Sequence, residues 1–125
     1  MTDTECGRAF PMSPEDVFQA VSDRRRRRVI LSVDRAEDGV GANELSVEIA
    51  SRENAIDPSK VTGEQCSRVY IALVQNHLTT LDELDAACYD SRSKLVRSTD
   101  ATGPLARLIR EVTTDCYTPA EGASE

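Results

Sequence analysis

Metal-ligating residues are few in this chain and scattered. It has one histidine, His77, and four cysteines, Cys6, Cys66, Cys88 and Cys116, with no C-x-x-C pair among them. Zinc sites are ordinarily built from close pairs of ligands, so this spacing argues against a metal and leaves free, partly buried thiols as the expectation. Nothing implies an oxidising compartment. Apolar runs are short as well. None approaches the roughly 18 residues of a membrane span, and the start of the chain lacks a signal peptide's hydrophobic stretch, so a cytoplasmic protein away from the membrane is expected. Also missing are G-x-S-x-G, a phosphate-cradling glycine loop and any Ser–His or Cys–His constellation. Glu44 and Glu48 stand one helical turn apart, but a chain this rich in acids produces such pairs by chance. The sequence therefore predicts neither an enzyme nor a cofactor carrier.

Lysine is nearly absent too. Of 15 basic residues only Lys60 and Lys94 are lysines, against 22 acids and a net charge of −7. That balance suits a surface kept hydrated in concentrated salt. Acidic chains are ordinarily repelled by nucleic acid, and a high isoelectric point is the usual mark of a DNA binder. In molar salt, however, the Debye length is about 3 Å, so net charge acts only at contact. Acidity thus weakens a DNA-binding reading without excluding it. The 125 residues make one domain with a sizeable core.

What is present is a succession of amphipathic segments. Residues 1–12 are polar and without period and read as a disordered tail, as do residues 118–125. Ser13, Pro14, Glu15 and Asp16 form a helix start, with Ser13 as cap, proline in the first turn and acids at the dipole's positive end. Val17, Phe18 and Val21 give that short helix one apolar face. A second helix follows Asp23, carries Val29, Ile30 and Val33, and is expected to stop near Gly39. Asn43 can cap a third, with Leu45, Val47, Ile49 and Ala50. Residues 54–63, containing Pro58 and Gly63, read as a loop.

The strongest signal comes next. Cys66, Val69, Tyr70, Leu73, Val74, His77, Leu78 and Leu81 form one continuous stripe over four helical turns. Ala87, Cys88 and Tyr89, a polar turn of Asp90 to Ser93, then Lys94 to Ser98 read as a β-hairpin. Gly103 and Pro104 open a last helix over residues 101–117, with Leu105, Leu108, Ile109 and Val112 on one face. The fold class expected is mainly α with a small β-hairpin, an α+β winged helix-turn-helix over residues 13–100. In that architecture the long helix enters the major groove and the hairpin lies against the backbone.

Particular residues carry a resemblance. The stretch from Arg68 to Leu73, continuing through His77, Leu78 and Leu81, resembles a family of haloarchaeal winged-helix domains without an assigned function. Asp23 with the arginines of residues 24–28, the trio Asn43, Glu44 and Leu45, and Val96 with Arg97 are similar to features of that family. His77, Leu78 and Leu81 are also similar to part of the recognition helix of arsenic-repressor-type regulators. The resemblance covers residues 14–98 and implies DNA binding. Two places depart from it. Thr79 and Thr80 stand where the family tends to have Pro-Lys, and Asp85 to Cys88 replace an Ala-Gly-hydrophobic entry to the wing.

If the stripe faces the core, the opposite face carries Ser67, Arg68, Ile71, Ala72, Gln75, Asn76 and Thr79. Gln75 and Asn76 have the donor–acceptor pairs that read adenine edges, and Arg68 can reach guanine or phosphate. On the wing, Arg92, Lys94 and Arg97 are the cations available to phosphates. The plainer reading is that these are the polar backs of amphipathic elements. The arginine run of residues 24–28 sprays around its helix at about 100° per residue, so it is read as structural, with stems packed and heads paired to carboxylates, the alternative being that one or two of them clamp a phosphate at the edge of the motif. His77, on the buried stripe, is read as a core histidine. The expected function is a sequence-specific DNA-binding transcriptional regulator acting on double-stranded DNA, with a possible homodimer through the last helix, which otherwise packs on its own domain. The alternative is a winged-helix module that binds another protein. Carboxylates crowding Arg68, Gln75 and Arg92 would favour that alternative.

Overall fold

In the computed structural model, which describes residues 10–116, side-chain caps set where most of the helices begin. Helix α1, Pro14–Val21, starts where the amide of Asp16 donates to Ser13 Oγ at 3.2 Å. Helix α2, Arg24–Arg35, starts where Asp23 Oδ1 accepts the amides of Arg25 at 2.7 Å and Arg26 at 3.2 Å. It ends before the stop expected near Gly39, which instead sits at φ +95° in the turn leading to a short strand β1, Val40–Gly41. Helix α3, Ala42–Asn54, begins one residue before Asn43. Its cap is Gly41, whose amide donates to Glu44 Oε1 at 3.0 Å. The loop that follows contains one 3₁₀ turn, Pro58–Lys60.

The long amphipathic helix is present but not uniform. Helix α4, Gly63–Ala72, opens on a reciprocal capping box between Thr62 and Gln65. It runs through a π-turn, Leu73–His77, into helix α5, Leu78–Glu83. The stripe itself accounts for the wide turn. Its spacing repeats about every 15 residues in four turns, or roughly 3.75 residues per turn against 3.6 for an ideal helix. An unbroken α-helix would rotate Leu81 some 60° away from Cys66 over that length. One wide turn absorbs the drift and leaves Val69, Leu73, His77, Leu78 and Leu81 all buried.

Asp85, at φ 63°, ends α5 in the left-handed conformation, with the Ala86 amide closing on the Leu81 carbonyl at 2.9 Å. Strands β2, Ala87–Asp90, and β3, Leu95–Ser98, then form the expected hairpin, with Cys88 opposite Arg97 and Tyr89 opposite Val96. Strand β1 pairs antiparallel on the other edge of β3, placing Val40 opposite Val96, so the sheet has three strands in the order β1-β3-β2. The domain is mainly helical with this small sheet.

One core joins all of these elements. Val29, Ile30 and Val33 of α2 meet Leu45 and Ile49 of α3, Leu73, Leu78 and Leu81 of the long helix, and Val96 of the sheet. Helix α6, Thr102–Asp115, belongs to it as well. Leu105, Ala106 and Ile109 are buried and α6 packs on α2, so the face read as a dimer contact is spent largely inside the domain. Leu108 is half-buried, and Val112 alone of the four is exposed. Thr102 Oγ1 donates to the Ala86 carbonyl at 2.7 Å and fastens the start of α6 to the entry of the hairpin. Phe10 and Met12, placed in the tail by the sequence reading, pack against the core. Residues 1–9 of that tail and residues 117–125 lie outside the described residues. No helix among the described residues is long and apolar enough to cross a membrane.

Candidate functional site

The outward face of the long helix is what its buried stripe leaves over. Ser67, Arg68, Ile71, Gln75, Asn76 and Thr79 are all exposed, and Ala72 is half-buried. Ile71 keeps 50 % of its surface in solvent. Gln75 and Asn76 lie within the π-turn, so the two amide side chains project from the widest part of the helix. Asn76 Oδ1 accepts from Thr80 Oγ1 at 3.4 Å, and Thr79 Oγ1 donates back to the Val74 carbonyl at 3.3 Å.

The hairpin is fixed to the end of this helix by the Tyr89 amide, which donates to Asp82 Oδ1 at 3.0 Å. Arg92, Lys94 and Arg97 are exposed on it. The turn between the strands is held by Asp90, whose Oδ1 accepts the Arg92 amide at 2.9 Å and whose carbonyl accepts the Lys94 amide at 2.7 Å. Lys94 therefore belongs to the turn, at φ 60°, rather than to the strand expected for it. The Lys94 carbonyl accepts from Ala42 at 2.8 Å, which ties the hairpin to α3. Behind the hairpin the Tyr89 hydroxyl is buried and has no hydrogen-bond partner among the described residues. Burial first, then Tyr70 and Asp90, hold its pKa above the ordinary tyrosine value.

Charge on this face is mixed. Arg68 pairs with Glu64 at 2.7 Å, with both side chains about three-quarters exposed (77 % and 74 %). Such surface pairs are worth little and exchange readily for another anion. The Asp90 carboxyl is held below its ordinary value by the Arg92 amide first, then by Ser93, with Arg97 contributing last. Among the described residues no carboxylate lies within ion-pair distance of Arg92, Lys94 or Arg97. Glu53 is engaged elsewhere, with Arg25.

The arginine run is tied down much as its helical geometry suggested. Arg25 makes a bidentate pair with Glu53 at 2.6 and 2.8 Å. Arg26 donates to the Gln19 carbonyl and to Ser22 Oγ, and Arg27 donates to the Val21 carbonyl at 2.7 Å. Arg28 approaches Glu48 at 3.9 Å. The sequence located the arginines but not these partners, because Glu53 and Glu48 lie a whole helix away in the chain.

His77 is buried on the inner stripe, as expected, and joins the long helix to the start of α2. Its Nδ1 lies 3.3 Å from Arg26 Nη1. The guanidinium can only donate, so Nδ1 accepts and the imidazole is neutral, with its proton on Nε2 facing Asp23 Oδ1 at 3.8 Å. Burial first, opposed by Asp23 and helped by Arg26 and Arg25, lowers the His77 pKa below 6.5. Burial alone would raise the Asp23 carboxyl, but the Arg26 amide, His77 and the Arg25 amide bring it below its ordinary value. The Glu53 carboxyl is also lowered, chiefly by Arg25.

These shifts set the pH dependence of stability. Below the ordinary histidine value the unfolded chain binds more protons than the folded one, so stability is full above about pH 6.5 and falls beneath it. Asp23 and Glu53 add stability above their ordinary values, and it is lost as pH falls through their lowered ones. Urea midpoints should therefore drop in two steps on acidification. His77→Gln should remove the first step and keep the second. A wild-type midpoint that stays constant from pH 7.5 to 5.5 would contradict the neutral, buried imidazole.

Cys66, Cys88 and Cys116 are free thiols, and no cluster of three or more groups able to hold a metal occurs among the described residues. No curated protein and no solved structure matches the chain. A family model described as a domain of unknown function, DUF7344, matches residues 18–97, and the chain belongs to that family. The match begins inside α1 and ends at Arg97, leaving α6 outside it.

Proposed function

Starting from that membership and from the outward face of the long helix, we propose that this protein is a DNA-binding transcriptional regulator of winged-helix type. The stretch Gly63–Glu83 is the reading helix and the hairpin is the wing. One observation carries the reading: Arg68, Ile71, Gln75, Asn76 and Thr79 are exposed together on a helix whose far end holds a hairpin presenting Arg92, Lys94 and Arg97. In use, Gln75 and Asn76 contact base edges, Ile71 lies against a thymine methyl and the wing cations contact phosphates. The acidity of the rest of the molecule (net charge −7) is compatible with this in concentrated salt, where screening confines each charge to its own contacts. A dimer, if the operator is palindromic, uses the surface that α6 leaves open at Leu108 and Val112.

Fluorescence anisotropy on random-sequence duplex DNA, titrated in KCl, tests the proposal. Wild-type affinity should fall with salt. The triple variant Arg92→Ala, Lys94→Ala, Arg97→Ala should bind at least tenfold more weakly, with its log–log salt slope reduced by roughly 2.7 for three lost phosphate contacts. No binding at any salt, or a triple variant that binds as the wild type does, would sink it. The second reading, a protein-binding module, draws on the carboxylates Glu64 beside Arg68 and Asp90 beside Arg92, and it would then lead.

A further inference from the structure

Away from the long helix's outward face, α2, the end of α3 and the outer half of α6 enclose a half-open cleft of about 310 Å³. Its walls carry Arg24, Arg25, Arg27, Arg28 and Arg52. Its floor is apolar, made by Leu31, Ile49 and Ile109, and exposed Thr113 stands at its rim. Among the described residues two carboxylates pair with guanidiniums here, and neither balances the group. Glu53 is taken by Arg25 in the bidentate pair. Glu48 accepts a hydrogen bond from Ser32 Oγ at 2.7 Å and is shared among Arg28, Arg35 and Arg52 at 3.7–3.9 Å. Arg28 feels the crowding, because burial first and then Arg52 lower its pKa against the pull of Glu48. In a chain of net charge −7, this is a concentration of positive charge around a greasy floor.

Those two properties together define a ligand. A bare inorganic anion has no use for Leu31, Ile49 and Ile109. A nucleic-acid backbone is too bulky to descend to a floor between three helices. Guanidinium forks match a carboxylate in plane and spacing, and a cavity of about 310 Å³ is at the small end of those that hold organic ligands. We propose that this cleft binds a small amphipathic organic anion, its carboxylate between Arg28 and Arg52 and its apolar body on Leu31, Ile49 and Ile109.

The test uses the full chain, in salt at which it is folded, with 3-phenylpropionate as probe and its neutral amide and inorganic phosphate as comparisons. Calorimetric titration should give saturable binding of the carboxylate. The amide and phosphate should each bind at least tenfold more weakly. Amide resonances of residues 24–31, 49–53 and 109–113 should shift and those of residues 87–98 should not. Arg52→Gln removes one head-group partner from an exposed position. Thr113→Glu adds a like charge at an exposed rim position, so both variants should fold while weakening binding at least tenfold. Arg92→Gln, on the hairpin, should leave it unchanged. Failure of the carboxylate to saturate, or equal binding of the amide, overturns the proposal. Phosphate binding as tightly as the probe overturns the apolar half of the site. A loss in Arg92→Gln equal to that in Arg52→Gln shows nonspecific charge attraction and overturns the site altogether. None of these readouts involves DNA, so the result stands apart from the regulator proposal.

Discussion

Gly39→Ala is expected to lower the stability of this domain by about 3 kcal/mol, with a fall in melting temperature of roughly 10–20 °C. Gly39 occupies φ +95°, which L side chains avoid, and a Cβ there would stand 2.8 Å from the Val96 carbonyl oxygen and 3.0 Å from Arg97 Cγ. The carbonyl is backbone in the middle strand of the sheet and has no flexible end to swing aside. Relief requires β1 to separate from β3, which opens the Val40–Val96 pairing and displaces the arginine stem that passes over the glycine. Gly63→Ala supplies the control. Gly63 is the first residue of α4 and a Cβ there meets nothing within 4 Å, so the substitution should be neutral or stabilise by up to about 1 kcal/mol. Thermal melts of the two variants in one buffer decide the matter. If Gly39→Ala melts with the wild type, the turn into β1 is not built as described.

Leu73→Ala should cost about 2–5 kcal/mol in urea denaturation. Leu73 is fully buried and is the first residue of the π-turn, where the long helix meets α3. A rigid core closes only partly around the lost atoms, so a cavity penalty adds to the lost transfer energy. Ile71→Ala, two residues earlier on the same helix, should change stability by no more than about 0.5 kcal/mol, because Ile71 faces solvent. The contrast tests the phase of the helix. Equal costs would mean that the inward and outward faces have been exchanged. Under the regulator proposal, Ile71→Ala should also weaken DNA binding while leaving the melt in place, so the two readouts separate surface from core.

Periodicity made most of this legible in the sequence. Ser13, Asp23 and the alternation of polar and apolar residues located α1 and α2, and the stripe from Cys66 to Leu81 located the long helix and, by subtraction, its exposed face. Strand β1 was missed because two residues cannot show an alternation. It exists only through pairing with β3, over fifty residues further on. The start of α3 was placed two residues late, since Asn43 is a good cap by composition while Gly41 is capped by the backward reach of Glu44. Helix α6 was read either as a dimer contact or as packed on its own domain, because its stripe alone does not show the core that Leu105 and Ile109 complete. The stripe's roughly 3.75-residue spacing did encode the wide turn, although the residues were read as a regular helix. The arginine cleft could not be read at all. Its walls and floor come from three helices, and only packing brings them to one place.

The wide turn gives the long helix one place, between Ala72 and Leu78, where its length can change. A π-turn is an α-helix that holds one surplus residue, so deleting any one of Leu73 to His77 would let the helix close into regular geometry without breaking it. Everything beyond the deletion would then keep nearly its present heading, because the surplus residue is what the wide turn already takes up. Thr79, Asp82 and the hairpin anchored to Asp82 would stay in line with Arg68 and Ile71. Among natural versions of this domain, single-residue differences in the length of the long helix should therefore collect at this turn.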